Sequence, residues 1–204
     1  MTGDDIDPST TFLADWMDRL AEGHGSPGGG AACGVMAGIA AALLGMVAAY
    51  TKGDEAARAR ARLAETRRSA MKAAEDDGIH SAEFGAALAM PDGPNRPPAV
   101  RQATAEAIAS SLAVGEIAAS LVPEVRLLAE IGNPHVEADL LVALAALRAA
   151  LDGVVVTTRA DLALLDAHRA DDDGLDAAVA AFRRRVAELE DGIRQLDAVA
   201  DRRR

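Results

Sequence analysis

The chain has 204 residues, of which 50% are hydrophobic and 2% aromatic, and its 32 acidic and 21 basic side chains give a net charge of −11. This length predicts a single domain over residues 1–204, with a core that needs no disulfide framework. The acidic balance argues against a nucleic-acid or membrane-surface partner. Helix-forming residues outnumber the aromatic residues that strands favour, so we predict an all-α fold. The acidic start and the unpaired Cys33 predict a cytoplasmic protein.

The first predicted helix begins at Ser9 or Thr10, either of which can cap it. Its apolar stripe consists of Phe12, Leu13, Trp16, Met17 and Leu20. The glycine-rich segment 23–30 then ends the helix, because five glycines and a proline in eight residues cannot continue it.

Residues 31–51 form an uncharged segment of 21 residues, 11 of which are Ala or Gly. Its length would allow a membrane span, and Gly34 and Gly38 form the GxxxG spacing found in such helices. Ala and Gly drive membrane insertion weakly, however. We therefore predict a central helix of a helical bundle, buried on all faces by neighbours that its small residues admit at close range.

The rest of the chain predicts further helices. The predicted segments are one long or two shorter helices over 54–90, a stiff loop at 91–98, a helix from 99 that restarts at Pro123, a stop at 132–134, a helix over 134–151, a strand-like run at 154–158 absorbed into a helix, a loop at 169–174, and a helix over 175–196. The last helix has an a/d heptad stripe, which indicates packing along a partner helix in the same chain or in another subunit.

Two groups of residues are candidates for chemistry. The four histidines lack paired ligand spacing, so no metal site is predicted. Gly28, Gly29 and Gly30 precede a helix, where backbone amides can bind an anion or a carbonyl-rich ring, with His24 and Ser26 beside them. A simple tight turn would need the same glycines.

Asp77 and Asp139 each lie beside an apolar stretch of predicted helix. A carboxylate in such a position is paired, exposed or functional, and two half-buried carboxylates suit general acid–base catalysis. Helix capping is the alternative role for the two carboxylates, and the residues alone favour capping.

Several motifs together resemble the cyclodeaminase/cyclohydrolase family, which includes the C-terminal domain of formiminotransferase-cyclodeaminase and stand-alone methenyltetrahydrofolate cyclohydrolases. The motifs are Ser-Pro-Gly-Gly-Gly-Ala-Ala at 26–32, Met-Val followed by Thr-Lys-Gly at 46–53, Asp77 ahead of Pro91 and Arg101, and Gly-Asn-Pro at 132–134 followed by Asp139. The resemblance covers roughly residues 9–200. This chain departs from the family pattern at Ala31, Asp54, Glu55, Ser81, Gly115, Thr157 and Asp161, the last two of which replace asparagines.

The resemblance implies an all-helical homodimer with a tetrahydrofolate substrate bound near the subunit interface. The implied reaction is hydrolysis of 5,10-methenyltetrahydrofolate, or cyclisation of 5-formiminotetrahydrofolate with loss of ammonia, and neither reaction needs a metal or redox cofactor. The implied catalytic residues are Asp77 or Asp139, helped by His80 and His135. The implied substrate-binding residues are Ser26, Gly28, Gly29, Gly30, Thr51, Lys52, Arg101 and Asn133, with Asn133 and the glycine amides orienting the pterin and Arg101 or Lys52 binding the glutamate tail.

Two alternatives remain open at this point. A divergent member of the same scaffold would bind or convert a different small molecule, which the replaced asparagines and the acidic Asp54 and Glu55 would favour. A structural helical assembly would use the heptads at 175–196 and would make the glycines at 28–30 a mere turn.

Overall fold

The computed structural model describes residues 12–23, 26–168 and 174–203. The described residues form helices and connecting turns and contain no strand, which confirms the predicted all-α class. The helices are α1 (Leu13–Leu20), α2 (Gly29–Tyr50), α3 (Asp54–Leu88), α4 (Arg96–Ala119), α5 (Val122–Ile131), α6 (Glu137–Ala167) and α7 (Gly174–Asp201), with a 3-10 turn at Pro134–Val136.

Helix α2 lies in the middle of the bundle, between α3 and α6. Its glycines let α3 approach closely: a Cβ built at Gly34 would lie 2.7 Å from Cβ of Ala74, and one built at Gly38 would lie 2.9 Å from the sulfur of Met71. A side chain larger than hydrogen would push the two helices apart. The predicted central, small-residue helix is therefore confirmed.

The prediction that α2 is buried on all faces is wrong for a single chain. Ile39 is 49% exposed and Tyr50 is 60% exposed, and on the neighbouring α6 the side chains of Val142 and Val156 are 56% and 66% exposed. Within the described part of the chain, both helices therefore keep large apolar side chains exposed.

Helices α4 and α7 complete the bundle around α6. A Cβ built at Gly115 of α4 would lie 2.9 Å from Cγ1 of Val154 of α6, so α4 and α6 cross in close contact. Along α7 the predicted heptad residues Val179, Val186 and Leu196 are buried. The partners of the heptad stripe are thus helices of the same chain, α6 together with α4 and α5, which settles the choice that the sequence left open.

Several local predictions are decided by packing. The strand-like run at 154–158 is helical, as predicted, and α3 is continuous through Gly78. The apolar stripe of α1 does not form a buried face, because only Trp16 is buried while Phe12 is 82% exposed. Ser9, Thr10, His24 and the loop residues 169–173 lie outside the described residues.

Three segments are long and apolar enough to cross a membrane by length and composition: Gly29–Tyr50, Arg96–Ile131 and Pro134–Ala167. In α2, which has the highest mean hydropathy of the three, 61% of the most apolar 18-residue stretch is buried inside the bundle. The absence of a membrane partner remains a prediction.

Candidate functional site

A buried carboxylate lies against the first turn of α2. Asp77 of α3 is only 2% exposed, and a Cβ built at Gly30 would lie 2.6 Å from its Oδ1 atom. The carboxylate therefore occupies the space that any side chain at position 30 would need. It also accepts a hydrogen bond from the backbone amide of Ala31, at the helix end where the macrodipole favours negative charge.

Serine hydroxyls surround this carboxylate. Ser111 Oγ of α4 donates to Asp77 Oδ1 at 3.1 Å, Ser81 Oγ approaches Oδ2 at 3.5 Å, and Ser110 is a third donor. Burial raises the pKa of Asp77, while these donors and the amide of Ala31 oppose the rise. No described residue forms an ion pair with Asp77, so within the described structure its ionised form is stabilised by hydrogen bonds and by the start of α2 rather than by a cationic side chain.

A second carboxylate approaches from α6, which runs antiparallel to α2. A Cβ built at Gly29 would lie 3.5 Å from Cγ2 of Thr157, so Asp161, one turn further along α6, lies level with the turn before α2. Burial and then the charge of Asp77 raise the pKa of Asp161 to about 6. Thr158 on the same stretch is fully buried, and its hydroxyl has no hydrogen-bond partner among the described groups.

The predicted residues Ser26, Gly28 and Gly29 belong to this end of α2. A Cβ built at Gly78 of α3 would lie 2.6 Å from Ser26 Oγ, and one at Gly28 would lie 3.2 Å from Ser81 Oγ. Gly78 therefore does not divide α3 into the two shorter helices that the sequence also allowed. Instead, Gly78 makes room for the glycine-rich turn.

Arg101 lies beyond the site on the same side of α4. It is ten residues before Ser111, about 15 Å along the helix, and its guanidinium donates to the carbonyl of His168 at 3.4 Å. A groove of about 460 Å³ opens beside Arg101, lined also by Pro98, Gln102, Ala105, Glu106 and Leu175. Asp77 on α3 and Asp161 on α6 thus lie on the two helices that flank the start of α2, and Arg101 lies further out, beside the groove on α4.

The other end of α2 carries a different polar group of residues. Asn133 Nδ2 donates to the carbonyl of Tyr50 at 2.9 Å, and its Oδ1 accepts from the amide of His135 at 3.0 Å. The amide of Asn133 donates to Thr51 Oγ1 at 3.1 Å, and Thr51 Oγ1 donates in turn to the carbonyl of Val47 at 2.8 Å. Both polar atoms of the Asn133 side chain are therefore used in joining α2 to α6.

The structure separates the predicted site into two groups. Helix α2 has 22 residues, so its two ends are about 33 Å apart. Within one chain, Asn133, Thr51 and Lys52 therefore do not meet Asp77, and the prediction that Asn133 and the glycine amides orient one pterin is wrong for a single chain. Asp139, half-buried in the first turn of α6, and the exposed His135 lie at the same distant end.

His80 is near Asp77 in sequence but faces outward. It is half-exposed, and its Nδ1 atom lies 3.1 Å from Glu83 Oε2. Ligand atoms of His80, Glu83 and Glu106 all lie within 4.8 Å of one another. Because both glutamates are exposed and His80 already pairs with one of them, this group matches an ordinary surface ion-pair cluster.

Sequence reasoning did not find the serines or Asp161 as site residues. Ser110 and Ser111 lie in an apolar helix without any motif, so no sequence signal marked them. Asp161 did give a signal, since it was noted as a departure from the asparagine of the related pattern.

The fold and the buried acidic site define the class of protein. The family model for formiminotransferase-cyclodeaminase matches residues 12–178, and the chain belongs to that family. Its structure is similar to that of a formiminotetrahydrofolate cyclodeaminase from Thermotoga maritima, with 22% sequence identity, a TM-score of 0.76, and coverage of 94% of this chain and 96% of the other. A search of curated protein sequences gives no significant match.

Proposed function

We propose that this protein is a tetrahydrofolate one-carbon enzyme, which hydrolyses 5,10-methenyltetrahydrofolate or cyclises 5-formiminotetrahydrofolate with release of ammonia. One observation carries the proposal: Asp77 is buried against the first turn of α2 without an ion-pair partner among the described residues. A carboxyl group with a raised pKa is suited to taking and returning protons near neutral pH.

Both reactions pass through a tetrahedral carbon between two nitrogens of the folate. In the hydrolysis, the oxygen of water bonds to the amidinium carbon and gives a proton to a carboxylate. One carbon–nitrogen bond then breaks, the nitrogen takes a proton from the carboxylic acid, and the hydroxyl proton is released as the formyl group forms. The net products are 10-formyltetrahydrofolate and one proton. Asp77 is the residue we assign to this proton transfer.

Binding of the rest of the folate is assigned to the residues around Asp77 and to Arg101 beyond them. The amides of the glycine-rich turn at 28–30 and the hydroxyl of Ser26 face the pterin, because they border the carboxylate. Arg101 binds the glutamate tail, since a guanidinium pairs with a carboxylate in a bidentate manner. Its separation from Ser111 is long enough to divide the ring from the tail of an extended folate.

We also propose a cytoplasmic homodimer that requires no metal or redox cofactor. The exposed apolar residues Ile39, Val142 and Val156 support the dimer, because neighbouring helices that present such residues are typical of interfaces. In an antiparallel pairing of two α2 helices, the Asn133 end of one chain would approach the Asp77 end of the other. Sedimentation analysis of the wild type and of Ile39→Glu tests this arrangement, and a wild-type monomer would contradict it.

The activity is tested by the absorbance of the methenyl group. Purified protein is expected to remove methenyltetrahydrofolate absorbance as a hydrolase, or to produce it from the formimino compound as a cyclodeaminase, so one assay separates the two reactions. No change with either substrate, at protein concentrations near that of the folate, would refute the proposed function.

A second candidate is a divergent member of the family that acts on another small molecule. Thr157 and Asp161, which replace two asparagines of the related pattern, favour it because Thr157 lies against Gly29 and Asp161 is one turn further along α6. A binding titration with a reduced folate distinguishes the two candidates, since absence of binding at millimolar ligand would favour this one.

A further inference from the structure

The hydroxyl of Ser111 bonds to another helix rather than to its own. A serine or threonine inside a helix can donate to a carbonyl three or four residues earlier in the same helix. Thr104, on α4 like Ser111, does so: it is fully buried, and its Oγ1 atom donates to the carbonyl of Val100 at 2.6 Å. Ser111 is 5% exposed and donates instead to Oδ1 of Asp77 on α3, at 3.1 Å. The bond therefore serves the carboxylate rather than the helix that carries the serine.

The two oxygens of Asp77 have different surroundings. Oδ1 accepts the buried bond from Ser111, whereas Ser81 Oγ approaches Oδ2 at the longer distance of 3.5 Å. Ser81 is half-buried, and a Cβ built at Gly28 would lie 3.2 Å from its Oγ atom. Oδ1 is thus directed towards α4, and Oδ2 is directed towards Ser81, which borders the glycine-rich turn.

The groups that act on this carboxylate come from four helices. They are the amide of Ala31 and the thiol of Cys33 on α2, Ser81 on α3, Ser110 and Ser111 on α4, and the carboxyl of Asp161 on α6. None of these groups is cationic, so hydrogen bonds are what hold the charged form of Asp77. Burial raises the pKa of Asp77, and the hydrogen bond from Ser111 is the strongest of the influences that oppose this rise.

We propose that Ser111 is a positioning residue, which holds Oδ1 of Asp77 so that Oδ2 is the oxygen that takes and returns the proton of the reaction. The role in turnover rests on the proposed folate function. A carboxylate held at one oxygen cannot turn about its Cβ–Cγ bond without losing that buried hydrogen bond. The other oxygen therefore keeps a fixed direction towards the glycine-rich turn, to which the pterin is assigned.

The same oxygen serves both candidate reactions. In the hydrolysis, a proton of water goes to Oδ2 as the carbon–oxygen bond forms and passes to the folate nitrogen as the carbon–nitrogen bond breaks, and the remaining hydroxyl proton is released to water. In the cyclisation of the protonated formimino compound, Oδ2 takes the proton of the attacking nitrogen and gives it to the departing amino group, which leaves as ammonia. Ser111 keeps its own proton throughout.

The hydrogen bond is tested without substrate by titration of the Asp77 carboxyl. Protein labelled with ¹³C is titrated and followed by NMR, with this carboxyl assigned through its own Cα and Cβ. Ser111→Ala should raise the midpoint of Asp77 by about one unit, because a hydrogen bond to the charged form is lost. Thr104→Val, which removes a buried hydroxyl from the same helix, is the matched control and should leave the midpoint unchanged. An unchanged midpoint in Ser111→Ala, or an equal shift in both variants, refutes the proposal.

The role in turnover is tested by kinetics. Ser111→Ala should lower kcat by about tenfold with KM unchanged, and should move the acidic limb of kcat/KM to higher pH, because less carboxylate is then present at a given pH. Ser111→Thr, which keeps the hydroxyl, should return the limb to its wild-type position, and Thr104→Val should match the wild type. A loss of rate without movement of the limb would indicate a merely structural role and refutes the proposal, while the folate function stands. A wild type inactive on both folates refutes the folate function and with it the role in turnover, while the titration still decides the hydrogen bond.

The choice of oxygen is tested at the other serine. Ser81→Ala should shift the midpoint of Asp77 less than Ser111→Ala does, because its hydroxyl lies further from the carboxylate. A larger shift in Ser81→Ala would place the stronger hydrogen bond on Oδ2, and that result would overturn the assignment of the two oxygens.

Discussion

The two ends of α2 present opposite kinds of polar chemistry. At the Asn133 end, the side chain of Asn133 uses both its donor and its acceptor on backbone groups of the same chain. At the Asp77 end, a carboxylate is buried with no ion-pair partner among the described residues, and burial also raises the pKa of Asp161 on α6. The first arrangement stabilises the fold, whereas burial in the second disfavours the charged form of the carboxylate.

The comparison also separates two meanings of a motif. Gly-Asn-Pro at 132–134 is a structural joint, since its bonds close the end of one helix and open the next. The glycines at 28–30 admit side chains of neighbouring helices, since Gly30 leaves the space that Asp77 fills and Gly28 and Gly29 lie against Ser81 and Thr157. Both motifs carry the family resemblance equally well, and only the contacts distinguish their roles.

The largest expected effect comes from removing the buried charge. Asp77→Asn should lower kcat/KM by about 10²- to 10⁴-fold, because it removes a proton acceptor while keeping the shape of the side chain. The measurement is the methenyl absorbance assay, with circular dichroism to verify the fold. Asp76→Asn, the exposed neighbour that pairs with Lys72, is the control. Asp139→Ala should also remain active, and a comparable loss there would contradict the assignment.

A substitution at Gly30 should disturb the site through space alone. Gly30→Ala places a methyl group 2.6 Å from Asp77 Oδ1, so the carboxylate must move, and we expect at least a tenfold loss of activity together with a lower melting temperature. Gly45→Ala is the matched control in the same helix, because nothing lies within 4 Å of its Cβ. It should raise stability by about 0.5–1 kcal/mol. Equal behaviour of the two variants would break the comparison.

Asn133→Ala should affect stability more than catalysis. Losing its two side-chain hydrogen bonds is expected to lower the free energy of unfolding by about 1–2 kcal/mol in urea denaturation. Asn95→Ala is the control, since Asn95 begins α4 without a side-chain capping bond. A large loss of activity with the fold intact would instead show that this end completes the site of a partner chain.

The last expected effect is a pH dependence of stability at Asp161. Its pKa rises from 3.8 to about 6 on folding, so the stability it contributes is fully present below pH 3.8 and is lost as the pH rises through 6. Asp161→Asn should therefore gain stability over wild type at pH 8, and the gain should shrink towards pH 4. Urea denaturation at four pH values measures the difference, and a constant difference would contradict the assignment.

The helices followed from local patterns, whereas the site required the packing. The heptads of α7 and the small residues of α2 predict that each helix packs closely against others, because burial of an apolar stripe is a property of each segment. The sequence did not show that the predicted site residues divide between the two ends of α2. No single motif indicates that the length of α2 separates the Asp77 group from the Asn133 group. Ser111 gave no signal, because a buried serine in an apolar helix resembles any other small residue until its partner is known.

The contact between Cys33 and Gly153 gives the molecule an internal reporter. A Cβ built at Gly153 would lie 2.5 Å from Cys33 Sγ, so the sulfur fits only because α6 has a glycine there, and burial raises the pKa of this thiol to about 11. Such a thiol reacts with an alkylating reagent only when α2 and α6 separate. The rate at which Cys33 is labelled therefore measures how often α2, which follows the glycine-rich turn, separates from α6, which carries Asp161. The measurement is unambiguous because the chain has a single cysteine.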